Sequence, residues 1–339
     1  MKSVLYTNEQ EKKRHERRSL AAKKAWETIR KTELIKNLHD HNTLDNFFFE
    51  LDTRFISFSE YEIKPPLIKP SKLTSFQNGG VGKELSDGWA LNFAVGCTHG
   101  CRFCYVDNIH KRFTIHRVGN IVNRPWGMYF LKPRNIEEAI AKTPWKRWKN
   151  RLVMMSSTHD PYLPQLYPIP REILQKALPA GVRFLIQTRS VLALKDLDIL
   201  SKYREQVIVQ VSIATMDEKF ASLIEPRVSP PKGRVEILRK AKEAGLRTGV
   251  IVAPVFPPNK VRPDVREDLR NIIDSIADYA DNIFGEMIHR RGVNLGYIEE
   301  ELGRIELTPE IDEELGDMFY DVLAEFGLKG TWWYELRKE

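Results

Sequence analysis

All three cysteines of this chain lie together on one short segment, Cys97-Thr-His-Gly-Cys-Arg-Phe-Cys104. The spacing C-x3-C-x2-C brings three thiolates onto one loop, where each can bind a different iron of a [4Fe–4S] cluster. The fourth iron of such a cluster has no protein ligand and stays open for chemistry. Cys97, Cys101 and Cys104 therefore predict a fold built around a reactive iron–sulfur cluster.

Two other uses of the cysteines stay open at this point. A structural zinc ion takes four ligands, and His99, His110 or His116 could supply the fourth. Zinc sites usually pair their cysteines as two separate C-x2-C units, however. A disulfide would leave one of the three cysteines over, and the chain opens without the apolar stretch of a secretory signal. The pattern favours the cluster.

The motif resembles that of the radical S-adenosylmethionine (SAM) superfamily, with Phe103 inside its last gap and Tyr105 directly after it. In that superfamily the open iron chelates the amino and carboxylate groups of SAM, and an electron from the cluster cleaves SAM to a 5′-deoxyadenosyl radical. The resemblance implies a [4Fe–4S] cluster and SAM as cofactors. It also implies an external electron donor such as flavodoxin or ferredoxin.

The chain carries a formal net charge of +7, which is unevenly distributed. Residues 1–40 hold eleven Lys and Arg against six Asp and Glu, among strong helix formers with few apolar positions. We predict a basic helical arm there, which either contacts nucleic-acid phosphates or is a solvated surface helix. Residues 41–84 contain prolines and a glycine-rich stretch, and they predict an extended connector.

Length and hydropathy limit the class of protein. With 339 residues and 42% hydrophobic content, the chain can bury a large core. No apolar run approaches the ~20 residues that a membrane-spanning helix needs. We therefore expect a cytoplasmic protein with no membrane partner.

From residue 89 onward, short apolar runs alternate with helix-like segments. The predicted strands are residues 90–95, 151–156, 183–187, 207–213, 248–255 and 282–288, and the predicted helices between them are 135–148, 171–178, 195–204, 232–244 and 263–279. Strands without polar alternation are typical of a parallel sheet covered by helices on both faces. Residues 85–300 thus predict an α/β fold, a partial (β/α)6 barrel of the TIM type. Residues 301–339 predict an amphipathic helix at 309–326 and an aromatic segment that pack on the barrel.

Polar residues follow the predicted strands, at the end of a barrel where reactive groups are found. Ser156 and Ser157 follow the second strand, Arg189 the third and Ser212 the fourth. Hydroxyl and guanidinium donors suit the carboxylate and ribose of SAM, and Phe103 can pack on its adenine. Serine and threonine also cap helices after strands, so each residue alone is weak evidence.

A narrower resemblance rests on motifs that occur in order along residues 85–290. They are the cysteine segment, Ser157-Thr-His-Asp-Pro-Tyr162, Thr188-Arg-Ser190, Ser212-Ile-Ala-Thr215, Glu225-Pro-Arg227 and Val252-Ala-Pro-Val255. Together they are similar to the spore photoproduct lyase-like group of radical SAM proteins, often labelled DNA repair photolyases. The resemblance implies SAM contacts from Ser156 or Ser157, Arg189 and Ser212, and a DNA or RNA substrate.

The chain departs from that group in its hydrogen-atom donor. Spore photoproduct lyase uses an additional cysteine to quench the repaired thymine radical, and this chain has no cysteine outside the motif. A tyrosine can take this role, and we choose Tyr105 and Tyr162 as catalytic candidates, with Tyr129 also near the motifs. Each of them can equally be a packing aromatic.

Basic residues are expected at the mouth of the barrel. Arg227, Lys232 and Arg234 follow the fourth strand, where they attract an anionic substrate or, alternatively, Arg227 forms a structural ion pair with Glu225. His289-Arg-Arg291 follows the sixth strand and adds positive charge to the same rim.

The sequence supports three hypotheses about function. The first is a radical SAM enzyme that repairs or modifies a nucleic acid. The second keeps the radical chemistry but gives it a peptide, protein or small-molecule substrate. The third is a non-catalytic iron–sulfur protein that binds nucleic acid. The open iron and the polar strand ends argue against the third.

Overall fold

The computed structural model describes residues 61–71 and 83–334 of the chain. The predicted basic arm at residues 1–40 lies outside these ranges, as do most of the predicted connector at 41–84 and residues 335–339. Within the described ranges, no helix is long and apolar enough to cross a membrane.

One large sheet forms the centre of the described structure. In chain order the strands are β1 (Ile68–Pro70), β2 (Trp89–Leu91), β3 (Val95–Gly96), β4 (Phe130–Leu131), β5 (Leu152–Met155), β6 (Arg183–Thr188), β7 (Val207–Ser212), β8 (Arg247–Val255), β9 (Asn282–Met287) and β10 (Thr331–Trp333). The sheet has eight strands in the order β1-β2-β5-β6-β7-β8-β9-β10, and β3 pairs with β4 separately. From β2 to β10 all neighbours are parallel, whereas β1 is antiparallel to β2.

Helices cover this sheet. They are α1 (Val106–Ile109), α2 (Ile115–Val118), α3 (Ile136–Lys142), α4 (Ile169–Ala177), α5 (Leu197–Lys202), α6 (Glu218–Ile224), α7 (Pro231–Glu243), α8 (Val265–Ile276), α9 (Glu299–Leu302) and α10 (Pro309–Glu325). The six predicted strands correspond to β2 and β5 to β9, and helices alternate with them, so the predicted α/β partial barrel is confirmed.

Local chemistry explains where these elements begin and end. The predicted helix at 135–148 stops at Lys142, because Pro144 lacks an N–H and restricts the residue before it. Helix α8 begins where the side chain of Asp264 accepts a hydrogen bond from Glu267 N at 2.9 Å. Leu269 and Ile272 lie on the apolar face of α8 and are buried, as an amphipathic pattern requires.

The two edge strands were not predicted. Part of the proline-rich connector forms β1, since a short edge strand tolerates proline. The aromatic segment after α10 forms β10 beside β9. A Cβ atom on Gly285 of β9 would lie 2.5 Å from the Trp332 ring, so glycine makes room for this tryptophan. Trp332 Nε1 also donates to Asp312 Oδ1 of α10 at 2.9 Å, which ties helix and strand together.

Candidate active site

The cysteine segment directly follows β3, a short strand outside the large sheet that begins after a gap of three residues from the end of the first parallel strand, β2. The predicted strand at 90–95 is divided, because β2 ends at Leu91 and β3 begins at Val95. Gly96 has φ +84°, and a Cβ atom there would clash with the carbonyl oxygen of Tyr129. Glycine therefore allows the chain to turn at this point and bring Cys97 in over the end of the sheet.

Hydrogen bonds from distant parts of the chain hold the cysteine loop in place. Arg102 N donates to Ile224 O at 2.9 Å, and its guanidinium donates to Glu301 Oε1 at 3.1 Å. The amide of Asn294 donates to Phe103 O at 2.8 Å. Both Arg102 and Asn294 are buried, so these bonds are shielded from water. The loop is thus fixed by the segments after β7 and β9.

The three thiols are enclosed and neutral in the absence of a cation. Cys97 and Cys101 are buried, and Cys104 is half-buried. Burial raises the pKa of the Cys97 thiol to about 11 and that of Cys104 to about 12, and it raises the pKa of Cys101 well above its usual value. A bound metal reverses this effect, because its charge stabilises the thiolate.

The zinc alternative lacks its ligand set. Among the residues described, no three His, Cys, Asp or Glu side chains are grouped as a mononuclear metal site needs. His110 bonds through both ring nitrogens, with Gly96 N at 3.3 Å and Thr114 Oγ1 at 2.9 Å. In a cluster each thiolate binds its own iron, so the sulfurs need not surround one point.

The end of β5 forms a polar corner with Asn92. Asn92 Oδ1 accepts from Ser156 Oγ at 2.8 Å and from Ser157 N at 2.9 Å. Asn92 Nδ2 donates to Ser157 Oγ at 3.0 Å. His159 Nδ1 shares a hydrogen bond of 3.1 Å with Ser156 Oγ. The two predicted serines therefore lie in one network with Asn92, which sequence reasoning missed although it also follows a strand.

Asp160 joins the ends of β5 and β6. Its carboxylate accepts from Thr188 Oγ1 at 2.7 Å, from Arg189 N at 2.7 Å and from Tyr162 N at 2.9 Å. His99 of the cysteine loop lies 3.6 Å from the same carboxylate. Burial lowers the pKa of His99 to about 4, so this contact is between a neutral imidazole and a carboxylate.

Arg189 connects the predicted adenine-packing residue to a buried ion-pair network. Its guanidinium lies 5.8 Å from the centroid of the Phe103 ring, and Nε donates to Glu225 Oε1 at 2.9 Å. The other oxygen of Glu225 accepts from Arg234. The alternative in which Glu225 pairs with Arg227 is wrong, because Glu225 pairs with Arg189 and Arg234. The expectation that Arg234 attracts an anionic substrate is also wrong, because the side chain of Arg234 is only 1% exposed.

Two further groups point to a polar ligand. Gln187 Nε2 donates to Ser212 Oγ at 3.2 Å at the ends of β6 and β7, while Gln187 Oε1 has no partner among the described residues. Arg227 donates to Gly127 O at 2.6 Å, and its buried Nε likewise lacks a partner within the described ranges. Buried polar atoms of this kind ordinarily find a partner.

The tyrosine candidates occupy different environments. Tyr105 is 37% exposed, and its hydroxyl donates to Ser157 O at 3.3 Å. Tyr162 is fully buried, and its hydroxyl donates to Asp196 Oδ2 at 3.0 Å. Tyr129 is also fully buried, beneath the turn at Gly96. The structure thus brings Tyr105, but not Tyr162, to the open side of the serine corner.

Comparison with known proteins agrees with this geometry. The model of the radical SAM superfamily matches residues 91–272, which include the cysteine loop and strands β5 to β8. The chain belongs to the radical SAM superfamily. Its resident cofactors are accordingly a [4Fe–4S] cluster and SAM, and the protein is a radical SAM enzyme, as the motif predicts.

Relatives of this radical SAM enzyme occur in a virus and in bacteria. The protein ORF301 of Acidianus two-tailed virus is 70% identical over 297 residues, which cover 87% of this chain and 99% of that protein. The protein Mb2609c of Mycobacterium bovis is 24% identical over 215 residues, or 62% of this chain and 61% of that protein. The fold is also that of spore photoproduct lyase complexed with dinucleoside spore photoproduct, with TM-score 0.57, 15% identity, and 82% and 81% of the two chains covered.

The site of this radical SAM enzyme fits its cofactors. Three thiols on one enclosed loop match the donor set of a cluster with one open iron. The unpartnered Gln187 Oε1 offers an acceptor at the strand ends beside that loop. Arg189 supplies a guanidinium there, on the same side as the Phe103 ring.

Proposed function

We propose that this radical SAM enzyme repairs or modifies a nucleic acid, with Cys97, Cys101 and Cys104 as the ligands of its cluster. The observation that carries the proposal is the meeting of the cysteine loop with polar strand ends from three parts of the chain. Asp160 lies 3.6 Å from His99 of the loop and accepts from Arg189 N at 2.7 Å. When bound, the cluster and SAM supply a 5′-deoxyadenosyl radical that removes a hydrogen atom from the substrate.

The strand-end residues bind and orient SAM in this proposal. Ser156 and Ser157 are held by Asn92, so their hydroxyl groups are positioned before the ligand arrives. Ser212 is held in the same way by Gln187. Arg189 presents charge to a carboxylate, and Phe103 offers an apolar surface to the adenine.

Charge supports a nucleic-acid substrate. The protein has a net charge of +7, which favours a polyanionic partner over a neutral metabolite. Spore photoproduct lyase, whose fold this chain shares, is seen in complex with a dinucleoside spore photoproduct. A nucleic acid is thus the substrate class on which charge and fold agree.

Tyr105 is the hydrogen-atom donor in this proposal, because cluster ligation uses all three sulfurs as thiolates. Its hydroxyl lies at the serine corner, bonded to Ser157 O, and its side chain is partly exposed, whereas Tyr162 is fully buried. The phenol gives its hydrogen atom to the substrate radical. An external donor such as flavodoxin or ferredoxin, together with a proton from water, then restores the tyrosine.

The test is SAM cleavage by the anaerobically reconstituted protein with dithionite, with and without oligonucleotides. We expect release of 5′-deoxyadenosine, together with mass changes in the DNA or RNA that accumulate with it. The matched control is Cys101→Ala, which should release none. Cleavage with no effect on any oligonucleotide, but with turnover of a peptide or metabolite from the host, would replace the nucleic-acid proposal with the second hypothesis.

A further inference from the structure

A basic surface segment directly follows the cysteine loop. Residues 106–124, here called the basic turn, comprise α1, a π-helical turn at His110–Thr114, α2 and a 3-10 turn at Gly119–Asn123. The basic side chains of this segment are Lys111, Arg112, Arg117 and Arg124, and its one acidic residue is Asp107. Asp107 is buried and paired with Lys111.

The three arginines of the basic turn are exposed. Within residues 61–71 and 83–334, no acidic side chain forms an ion pair with any of them. Positive charge that no described acidic side chain neutralises suits a polyanion, because each phosphate contact releases condensed counterions.

Phe113 is an exposed aromatic residue of the basic turn and directly follows Arg112. Its side chain is 69% exposed, more than that of Tyr105 at 37% or Tyr320 at 39%, the other large exposed hydrophobic residues of the described ranges. The guanidinium of Arg112 lies 5.6 Å from the centroid of its ring. An exposed ring beside guanidinium groups is the arrangement on which proteins stack an unpaired base.

The basic turn is anchored on its inner side against the residue before Cys97 and against the segment after β9. His110 packs against the rings of Trp126 and Tyr129 and accepts a hydrogen bond from the N–H of Gly96, the last residue of β3. Asn108 borders Gly292, where a Cβ atom would lie 2.9 Å from Asn108 Oδ1. The turn therefore meets the segment after β9, at the carboxyl ends of the strands.

We propose that the basic turn binds a single-stranded stretch of nucleic acid across the active-site mouth. Arg112, Arg117 and Arg124 contact phosphates, and an unpaired base stacks on Phe113. This inference rests on the proposed nucleic-acid function and adds the surface and the strandedness of the substrate. A membrane surface fits less well, because membrane-bound helices present a broad apolar face and this segment exposes one phenylalanine.

The first test removes charge and measures salt dependence. Binding of a fluorescein-labelled single-stranded 12-nucleotide DNA to the full-length protein is followed by anisotropy between low and high NaCl. The slope of log K against log [NaCl] is negative, and each lost phosphate contact should make it shallower by about 0.7, so R112Q/R117Q should make it shallower by about 1.4. The matched control is R204Q/R247Q, because these exposed arginines lie at the amino-terminal ends of the central strands β7 and β8, whereas the basic turn meets the segment after the carboxyl end of β9. The control should keep the wild-type slope.

The second test removes the stacking surface. Phe113→Ala should weaken binding of the same DNA by about 5- to 150-fold, the range expected for one stacked base, with an unchanged salt slope. Phe113→Trp should bind the DNA as tightly as the wild type, since any aromatic ring can stack. The wild type should bind the duplex of this DNA with its complement more weakly than it binds the single strand. Iron content and thermal melting of each variant verify that it is folded.

The outcomes separate this inference from the proposed function. A steep wild-type slope that R112Q/R117Q leaves unchanged would overturn the assigned surface while a nucleic-acid substrate stands. Absence of salt-dependent binding by the wild type would overturn both. Binding to phosphatidylglycerol vesicles without binding to the DNA would assign the basic turn to a membrane surface and overturn the inference.

Discussion

The buried carboxylate of Glu225 allows a sharp prediction about stability. Its side chain is 0% exposed and lies between two guanidinium groups, those of Arg189 and Arg234. Arg234 also donates through Nε to Ser229 O and through Nη1 to Ser212 O, both at 2.9 Å. The network therefore links the active-site arginine to the end of β7 and to helix α7.

Glu225→Gln keeps the shape of this side chain and removes its charge. One carboxylate oxygen becomes an amide NH2, so one guanidinium faces a donor in place of an acceptor, and two positive charges lose their counter-charge. Breaking a buried ion pair by removing one partner costs about 3–5 kcal/mol, and we expect Glu225→Gln to lower the free energy of unfolding by that amount. The exposed pair of Glu218 and Lys232 provides the matched control, with side chains 44% and 80% exposed. Glu218→Gln should cost about 0–1 kcal/mol.

The assay is urea unfolding followed by tryptophan fluorescence, at equal iron content for each protein. The double variant Glu225→Gln/Arg234→Met should be more stable than the sum of the two single losses predicts, because the second change removes the uncompensated charge. A Glu225→Gln protein as stable as Glu218→Gln would refute the reasoning. It would show that Arg189 and Arg234 do not depend on this carboxylate.

Four further predictions concern the cluster ligands, the basic arm, the tyrosines and His159. Alanine at Cys97, Cys101 or Cys104 should abolish both full iron content and SAM cleavage, and normal turnover by any one variant contradicts the ligand assignment. If residues 1–40 contact phosphates, their deletion should weaken nucleic-acid binding and flatten its salt dependence while SAM cleavage without substrate persists; an unchanged salt slope would identify the arm as a solvated surface helix. With dinucleotide spore photoproduct we expect no rapid, clean repair over many turnovers, because this chain has no cysteine outside the cluster motif to give a hydrogen atom. In the slower reaction that remains, Tyr105→Phe should lower the amount of product formed per 5′-deoxyadenosine released, and Tyr162→Phe should not. Burial lowers the pKa of His159 from 6.5 to about 3, so between these values the unfolded state binds a proton that the folded state does not. This one histidine should therefore contribute a loss of about 1.4 kcal/mol of stability per pH unit from pH 6.5 down to pH 3, and the stability of His159→Gln should fall by that much less than that of the wild type.

Local pattern in the sequence determined most of the fold. The run at residues 248–255 has no polar side chain after Thr248, and the structure buries strand β8 on both faces over these residues, as that pattern predicts. The cysteine spacing likewise carries its meaning within a few residues, since the geometry of three ligands on one loop depends on little else. The barrel and the position of the cysteine loop were accordingly predictable.

Contacts between distant residues were decided by the tertiary structure. Glu225 and Arg227 are close in sequence, but the partners of Glu225 are Arg189 and Arg234, which reach it from other elements. Asn92 and Asn294 gave no local signal, because an isolated asparagine after a strand or in a loop has many uses. Their partners, Ser156 and the carbonyl of Phe103, lie 64 and 191 residues away.

The two tyrosine candidates show the same division. Tyr105 and Tyr162 each lie beside a motif, and nothing in their neighbouring residues separates a reactive phenol from a packing one. Burial and partners separate them, since Tyr162 is enclosed and bonded to Asp196 while Tyr105 faces the serine corner. Sequence determines periodicity, turns and ligand spacing because these depend on neighbouring residues, whereas exposure and hydrogen-bond partners depend on which surfaces the folded chain brings together.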